Sequence, residues 1–172
     1  VDIIQSSSGL FKSAVVAEHI LTGFTNADHV FGYQILLDLY GCKKGVCDDM
    51  ELCYDFLDKI VEHIGMNRMG PPQILKGDAE KYPEKGPGVS GWIPLIESSV
   101  VIHTLSTKDF ISIDVYSCKY FEPQKAMDFA FKYFDPQKAE YQMAERGIDY
   151  YSVNTRHHSL KIENGETEVK KT

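Results

Sequence analysis

Apolar positions recur along this chain with two periods, and each stretch predicts its own element. Residues 8–23 carry helical apolar spacing after three serines suited to capping a helix. Val30 to Tyr40 is rich in β-branched and aromatic residues and reads as a strand ended by Gly41. Asp48-Asp49 then opens a helix to Ile64, with Leu52, Phe56, Ile60 and Ile64 on one face, and Gly65 closes it. Gly70-Pro71-Pro72 punctuates the chain before a short strand, Gln73 to Lys76, and residues 77–88 are a polar loop rich in Gly and Pro. Val89 to Leu105 is a long β-type run broken by Gly91 and Pro94. Phe110 to Cys118 alternates as a strand, and Pro123 to Phe134 reads as a helix with Pro in its first turn. Tyr141 to Tyr151 reads as a strand, and the chain after Val153 as a polar, mobile tail. Hairpin signals mixed with helices predict an α+β fold, a two-layer α/β sandwich with an antiparallel sheet and helices packed on one face. The expected organisation is a helical extension over residues 1–29, one domain over 30–153, and a tail over 154–172.

Composition narrows the function. The 172 residues suit one domain, and 43% hydrophobic with 12% aromatic residues is enough for a core. A net charge of -7 and a pI of about 5.3 argue against nucleic acid or an anionic membrane as partner, and are compatible with a small cationic substrate. No apolar run reaches the ~20 residues of a membrane span, and the N-terminus lacks the basic-then-apolar pattern of a signal peptide. The chain starts at Val1 rather than Met, so a removed leader stays open. Cys42 and Cys47 are not spaced as a standard zinc pair, and no histidine follows at ligand spacing. They read as free structural thiols in a reducing, cytoplasmic setting, with no metal expected.

The densest chemistry lies in Glu97-Ser98-Ser99-Val100-Val101-Ile102-His103, followed by Cys118. A hydroxyl next to an acyl carbonyl, an imidazole and a thiol are the groups needed for a self-cutting serine that becomes a pyruvoyl group. If the strands on either side of Leu105–Asp109 pair as a hairpin, Ser98 lies opposite Ser117 or Cys118, where facing Cβ atoms are about 4.5–5.5 Å apart. Ser98 and His103 are an odd number of residues apart, so an ideal strand points them to opposite faces. A bulge or bend would have to reconcile them. Two plainer readings compete: an ordinary strand serine with a half-buried strand histidine, and a serine hydrolase built from Ser98, His103 and Asp114. The second lacks the G-x-S-x-G turn around Ser98.

The segments DLYGC (Asp38 to Cys42), GVSG (Gly88 to Gly91), IESSVVIHT (Ile96 to Thr104) and IDVYSC (Ile113 to Cys118), in this order and spacing, resemble the S-adenosylmethionine decarboxylase family, particularly its short prokaryotic proenzymes. The resemblance runs from Phe31 to Gly147. It implies that Ser98 attacks the carbonyl of Glu97, so that self-cleavage between 97 and 98 leaves a pyruvoyl group as the cofactor. By the same resemblance Ser90 assists the tetrahedral intermediate and His103 promotes loss of the Ser98 α-proton. The substrate amine condenses with the carbonyl as a Schiff base, CO₂ leaves, and Cys118 returns a proton. A thiol, with a reference pKa of about 8.5, is neutral and able to donate at neutral pH. The implied partners are a small amino-acid-type substrate and further copies of the chain, as a homo-oligomer of processed units.

The departures from the family pattern concern the substrate. Ser99 replaces a histidine, and Leu105-Ser106-Thr107 replaces Trp-Pro-Glu, whose tryptophan stacks on adenine and whose glutamate binds the ribose in the family pattern. Before GVSG, Glu84 falls where an aromatic is usual, with Tyr82 two residues earlier. Leu105, Thr107 and Tyr82 are the expected substrate contacts, and Asp38 or Asp114 could meet a substrate cation. S-adenosylmethionine is the expected substrate on the family pattern. Arginine or ornithine is the alternative on the altered pocket. A non-catalytic regulatory homologue is a further one, against which the presence of Ser98, His103 and Cys118 together counts.

Overall fold

The computed structural model describes residues 2–5, 30–78, 80, 81, 83, 86–148, 150, 158–163 and 166–171, the first segment and everything beyond 150 as backbone only. The elements are β1 (Asp2–Gln5), β2 (Gly32–Tyr40), α1 (Met50–His63), β3 (Gln73–Lys76), β4 (Val89–Pro94), β5 (Ser98–Leu105), β6 (Phe110–Ser117), α2 (Pro123–Phe134), β7 (Lys138–Arg146), β8 (His158–Glu163) and β9 (Glu166–Lys171). Short 3₁₀ turns at Val46–Asp48 and Ser106–Lys108 precede α1 and β6. Strands β1 to β7 form one sheet in the order β1-β7-β2-β6-β5-β4-β3, with every neighbouring pair antiparallel. The fold is thus the expected α+β sandwich of two layers.

Alternation along the strands decides which face is covered. Ile35, Leu37 and Leu39 of β2, Ile111, Ile113 and Val115 of β6, Val100 and Ile102 of β5, and Val89 and Ile93 of β4 are all buried. They pack with Phe56, Leu57, Ile60 and Val61 of α1 and Met127, Ala130 and Phe134 of α2 in one core. Phe56 and Phe134 touch, with ring centroids 4.9 Å apart, and truncating such a side chain typically costs about 3–5 kcal/mol. Asp49 caps α1 by accepting the Leu52 N–H at 2.9 Å, a contact typically worth about 1 kcal/mol. Pro123 opens α2, where its missing N–H is one the helix could not have bonded.

Among the described residues, the opposite face of the sheet carries no helix. The residues between the buried ones point there: Asp38 from β2, Ser112 and Asp114 from β6, His103 from β5, Ser90 and Trp92 from β4. Register aligns Ser90, His103, Ser112, Asp38 and Glu140 as one row across five strands.

Strand β7 covers Lys138–Arg146 rather than Tyr141 to Tyr151. Its charged start is strand because Lys138 and Glu140 lie on the open face, joined by an ion pair at 2.6 Å, while Ala139 and Tyr141 face the core. Gly147, at φ +64°, ends it. Within the polar tail His158–Glu163 and Glu166–Lys171 pair as an antiparallel hairpin, β8–β9. The helix expected over residues 8–23 lies outside the described residues, but Asp2–Gln5 adds a strand to the domain's sheet beside β7.

Candidate active site

Ser90, His103, Leu105 and Thr107 gather at one end of β5, and Glu97, Ser98 and Cys118 at the other. At its far end Ser90 and His103 face each other across β4 and β5, and Ser90 Oγ lies 2.9 Å from His103 Nδ1. Both belong to a cavity of about 320 Å³ that also includes Leu105, Phe110, Ser112, Asp78, Gly86 and Gly88. The two glycines of GVSG are there because backbone and side chains come close: a Cβ on Gly88 would strike the Thr104 carbonyl, and one on Gly91 would strike Ile74. Thr104 fixes this end from below. Its buried hydroxyl donates to the Cys47 carbonyl and accepts from the Val89 N–H at 2.7 Å.

At its near end β5 begins at Ser98, directly after a tight turn in which the Leu95 N–H donates to the Ser98 carbonyl at 2.8 Å. Ser98 is paired with Ser117, one of the two expected registers. The Cys118 N–H donates to the Glu97 carbonyl at 2.9 Å. The carbonyl that a self-cutting serine would attack therefore already has a main-chain donor aimed at it. The Glu97 carboxylate is gripped by Asn67, whose N–H and side-chain amide donate to its two oxygens at 3.0 and 2.7 Å. Partial burial works to raise the Glu97 pKa, but the Asn67 hydrogen bonds and the Lys119 charge outweigh it and hold the carboxyl below its usual range. The Cys118 thiol is free and exposed.

The two ends are not brought together within one chain. Pairing between β5 and β6 runs unbroken from Ser98–Ser117 to Leu105–Phe110, so the expected bulge is absent; the chain bends only at the turn before Ser98, whose φ is +158°. Five residues of strand at about 3.3 Å each separate them by roughly 17 Å, and their parities differ. A hydrolase triad of Ser98, His103 and Asp114 is not assembled either. Asp114 is close enough to His103 for the imidazole charge to lower its pKa, but burial dominates and leaves it raised. Asp38 is also raised, by burial first and then by Glu140 and Asp114. It sits beside Ser112 in the row that contains His103. Thr107 is exposed on the 3₁₀ turn above the cavity, against Gly86. Tyr82 lies outside the described residues.

Sequence reasoning missed Ser112 and Phe110, although the hairpin register alone puts them opposite His103 and Leu105. It also missed Asn67, which no local pattern marks. Cys42, Cys47 and Cys53 are free and buried. Cys42 donates to Cys47; that bond and then burial push the Cys42 thiol up, while at Cys47 the same bond outweighs burial and holds the thiol down. Among the described residues no cluster of His, Cys, Asp or Glu is placed to hold a metal ion.

Comparison with known proteins decides what this arrangement belongs to. The family model described as S-adenosylmethionine decarboxylase matches residues 33–147. The chain belongs to the S-adenosylmethionine decarboxylase family. The S-adenosylmethionine decarboxylase proenzyme of Persephonella marina is 31% identical over 121 residues, covering 70% of this chain and 85% of the relative. That of Aquifex aeolicus is 29% identical over 120 residues, covering 68% and 82%. The crystal structure of the adenosylmethionine decarboxylase from Aquifex aeolicus superposes with a TM-score of 0.60 at 26% identity, covering 73% of this chain and 98% of the other. As a member of this family the protein is a pyruvoyl-dependent carboxy-lyase, and its cofactor is the pyruvoyl group formed by self-cleavage at a serine. The residues here fit that group: a serine at a strand start follows a carbonyl that already accepts a hydrogen bond.

Proposed function

We propose that this chain cuts itself between Glu97 and Ser98, retains the pyruvoyl group at position 98, and decarboxylates S-adenosylmethionine for polyamine synthesis. The observation that carries the processing step is the Cys118 N–H on the Glu97 carbonyl. When Ser98 Oγ attacks that carbonyl carbon, negative charge grows on the oxygen, and a donor already in place stabilises it without reorganisation. The peptide bond is thereby exchanged for an ester. Ser90 and His103, hydrogen-bonded to each other, form a hydroxyl–imidazole pair suited to stabilising the adduct and removing the Ser98 α-proton. Loss of that proton breaks the Cβ–O bond and expels the Glu97 α-carboxylate, and the dehydroalanine left at 98 takes up water and releases ammonia to give the ketone.

The pair is too distant from Ser98 to act within its own chain, which supports a homo-oligomer in which a second copy brings its Ser90 and His103 to the cleavage site. The open face of the sheet, with Trp92 and Leu36 exposed on it, is the surface a second copy can cover. Once formed, the pyruvoyl carbonyl supplies an electron sink for departure of CO₂. Cys118, exposed beside the cleavage turn, is the thiol that returns a proton to the substrate carbon in this reading. The reading is of a cytoplasmic enzyme acting on a small molecule.

A second substrate reading has its own support. The cavity offers Leu105 where the family pattern has a stacking aromatic, and two carboxyls, Asp38 and Asp114, stand on the same open face. A basic amino acid such as arginine or ornithine would find an anionic partner there. Intact-mass measurement on denatured protein tests the processing. Two fragments, residues 1–97 and a second beginning with pyruvoyl, are expected; a single uncut chain overturns it. Release of CO₂ from S-adenosylmethionine, arginine and ornithine, measured side by side, chooses the substrate.

A further inference from the structure

We infer that Asn67 is a positioning residue for self-cleavage, holding the acyl half of the scissile bond through the Glu97 side chain. This rests on cleavage at Glu97–Ser98 and adds to it a residue outside the strands that carry the reacting groups. Asn67 follows α1 in the exit segment of Gly65 to Met69. That segment is strapped along the cleavage turn: the Ile96 N–H donates to the Asn67 carbonyl at 2.9 Å, the Met69 N–H to the Pro94 carbonyl at 3.0 Å, and Arg68 bridges to Leu95. A second exit segment, after β6, closes on the same place. Lys119 Nζ donates to the Gly65 carbonyl at 2.9 Å, and the Ser117 hydroxyl donates to the Met66 sulfur at 3.5 Å.

The ties divide cleanly on either side of the bond to be cut. Residue 97 is held by Asn67 through both carboxylate oxygens and by the Cys118 N–H through its carbonyl. Residue 98 is held by its ladder position opposite Ser117 and by the Leu95 N–H on its carbonyl. The Glu97–Ser98 peptide is the link between two anchored halves. An N-to-O acyl shift needs the carbonyl carbon and the hydroxyl of adjacent residues kept in attack geometry, and small misplacements are expensive in rate. A two-point grip on a carboxylate fixes orientation as well as position, which a single contact does not.

The test uses the full chain, translated in vitro, with appearance of the 1–97 and 98–172 fragments followed over time. Asn67→Ala is expected to slow cleavage about tenfold, the usual effect of losing one hydrogen bond to a charged group. Asn67→Asp sets a second carboxylate against Glu97 and is expected to slow it more, on the order of a hundredfold. The decisive variant combines Asn67→Asp with Glu97→Gln. The amide introduced at position 97 then donates to the carboxylate introduced at position 67, while the amide oxygen still accepts the N–H of residue 67. The two-point grip is restored with the polarity of its side-chain bond reversed. The cleavage rate of this double variant is expected to return to within a few-fold of that of Glu97→Gln alone. An Asn67 that acts independently of Glu97 would give no such recovery, and lack of it, or cleavage of Asn67→Asp at the wild-type rate, overturns the inference. If Asn67→Asp proves insoluble, the double variant against Glu97→Gln still decides. Failure of the wild-type chain to cut at 97–98 defeats the proposed function instead, so the two failures are distinct.

Discussion

The two ends of β5 solve different problems with different parts of the chain. At Ser98 the work is done largely by main chain: a carbonyl, the Cys118 N–H that meets it, and a turn closed by Leu95. At Leu105 it is done by side chains that line a cavity: Leu105, Phe110, Ser112 and Asp78, beside the Ser90–His103 pair assigned to processing in a second copy. Main-chain donors survive any substitution except proline, so at this end sensitivity is confined to the side chains that react or grip: Ser98, Glu97 and Asn67. The recognition end changes whenever a lining side chain changes. This is why the chain can match its family in the residues that make the cofactor while differing in those that would hold the substrate.

The sharpest way to break the comparison is at the near end. Ser98→Ala removes the hydroxyl adjacent to the Glu97 carbonyl and is expected to abolish both cleavage and decarboxylation, leaving one species of 19.5 kDa on a denaturing gel. Cleavage of that variant would move the chemistry elsewhere. Cys118→Ala separates main chain from side chain at one residue. Its N–H still meets the Glu97 carbonyl, so cleavage should proceed. Turnover of the processed enzyme should fall by about 10²-fold with loss of the proton donor. Cleavage lost together with turnover would show the thiol acting in processing as well.

At the far end the effects are smaller, because a substrate is held by many contacts. Leu105→Trp returns an aromatic to the position where the family pattern stacks adenine. If S-adenosylmethionine is the substrate, its KM should fall by about fivefold, the scale of one aromatic contact, with kcat little changed. No change, or a higher KM with arginine turnover intact, favours the basic amino acid.

The same division explains what can be read from sequence. Strands β2, β4, β5 and β6 and both helices are legible because burial on one face imposes period two or 3.6 on the residues. The β5–β6 register is legible because one short turn, Leu105 to Asp109, sets it. The separation of Ser98 from His103 is legible too, as an odd spacing, though the expected bulge is absent. Contacts that depend on distant segments are not legible. Asn67 reaches Glu97 across 30 positions from an aperiodic helix exit. β1 joins β7 from the opposite end of the described chain. The charged start of β7 has no strand pattern of its own, because the hydrogen bond from Tyr40 to Glu140 that helps seat it spans 100 residues.

The smallest effect concerns the open face that the two ends share. Asp38 sits half-buried in the row of Ser112 and His103, and its pKa is raised by burial first, then by Glu140 and Asp114. The native state thus holds the ionised form less favourably than the unfolded chain, which ionises it near 3.8. As pH rises from the unfolded value through the raised native one, the folded protein must carry a charge it disfavours, and stability is lost. Asp38→Asn removes that penalty. Its urea midpoint should therefore exceed the wild-type value at pH 8, and the gap should close on acidification below about pH 4, where Asp is protonated in both states. A gap that stays constant with pH would assign the gain to packing. If Asp38 instead meets a substrate cation, the same variant should raise KM for arginine or ornithine while stabilising the protein. A stability gain joined to a binding loss is expected of a carboxyl kept for function on a face that folding alone would leave neutral.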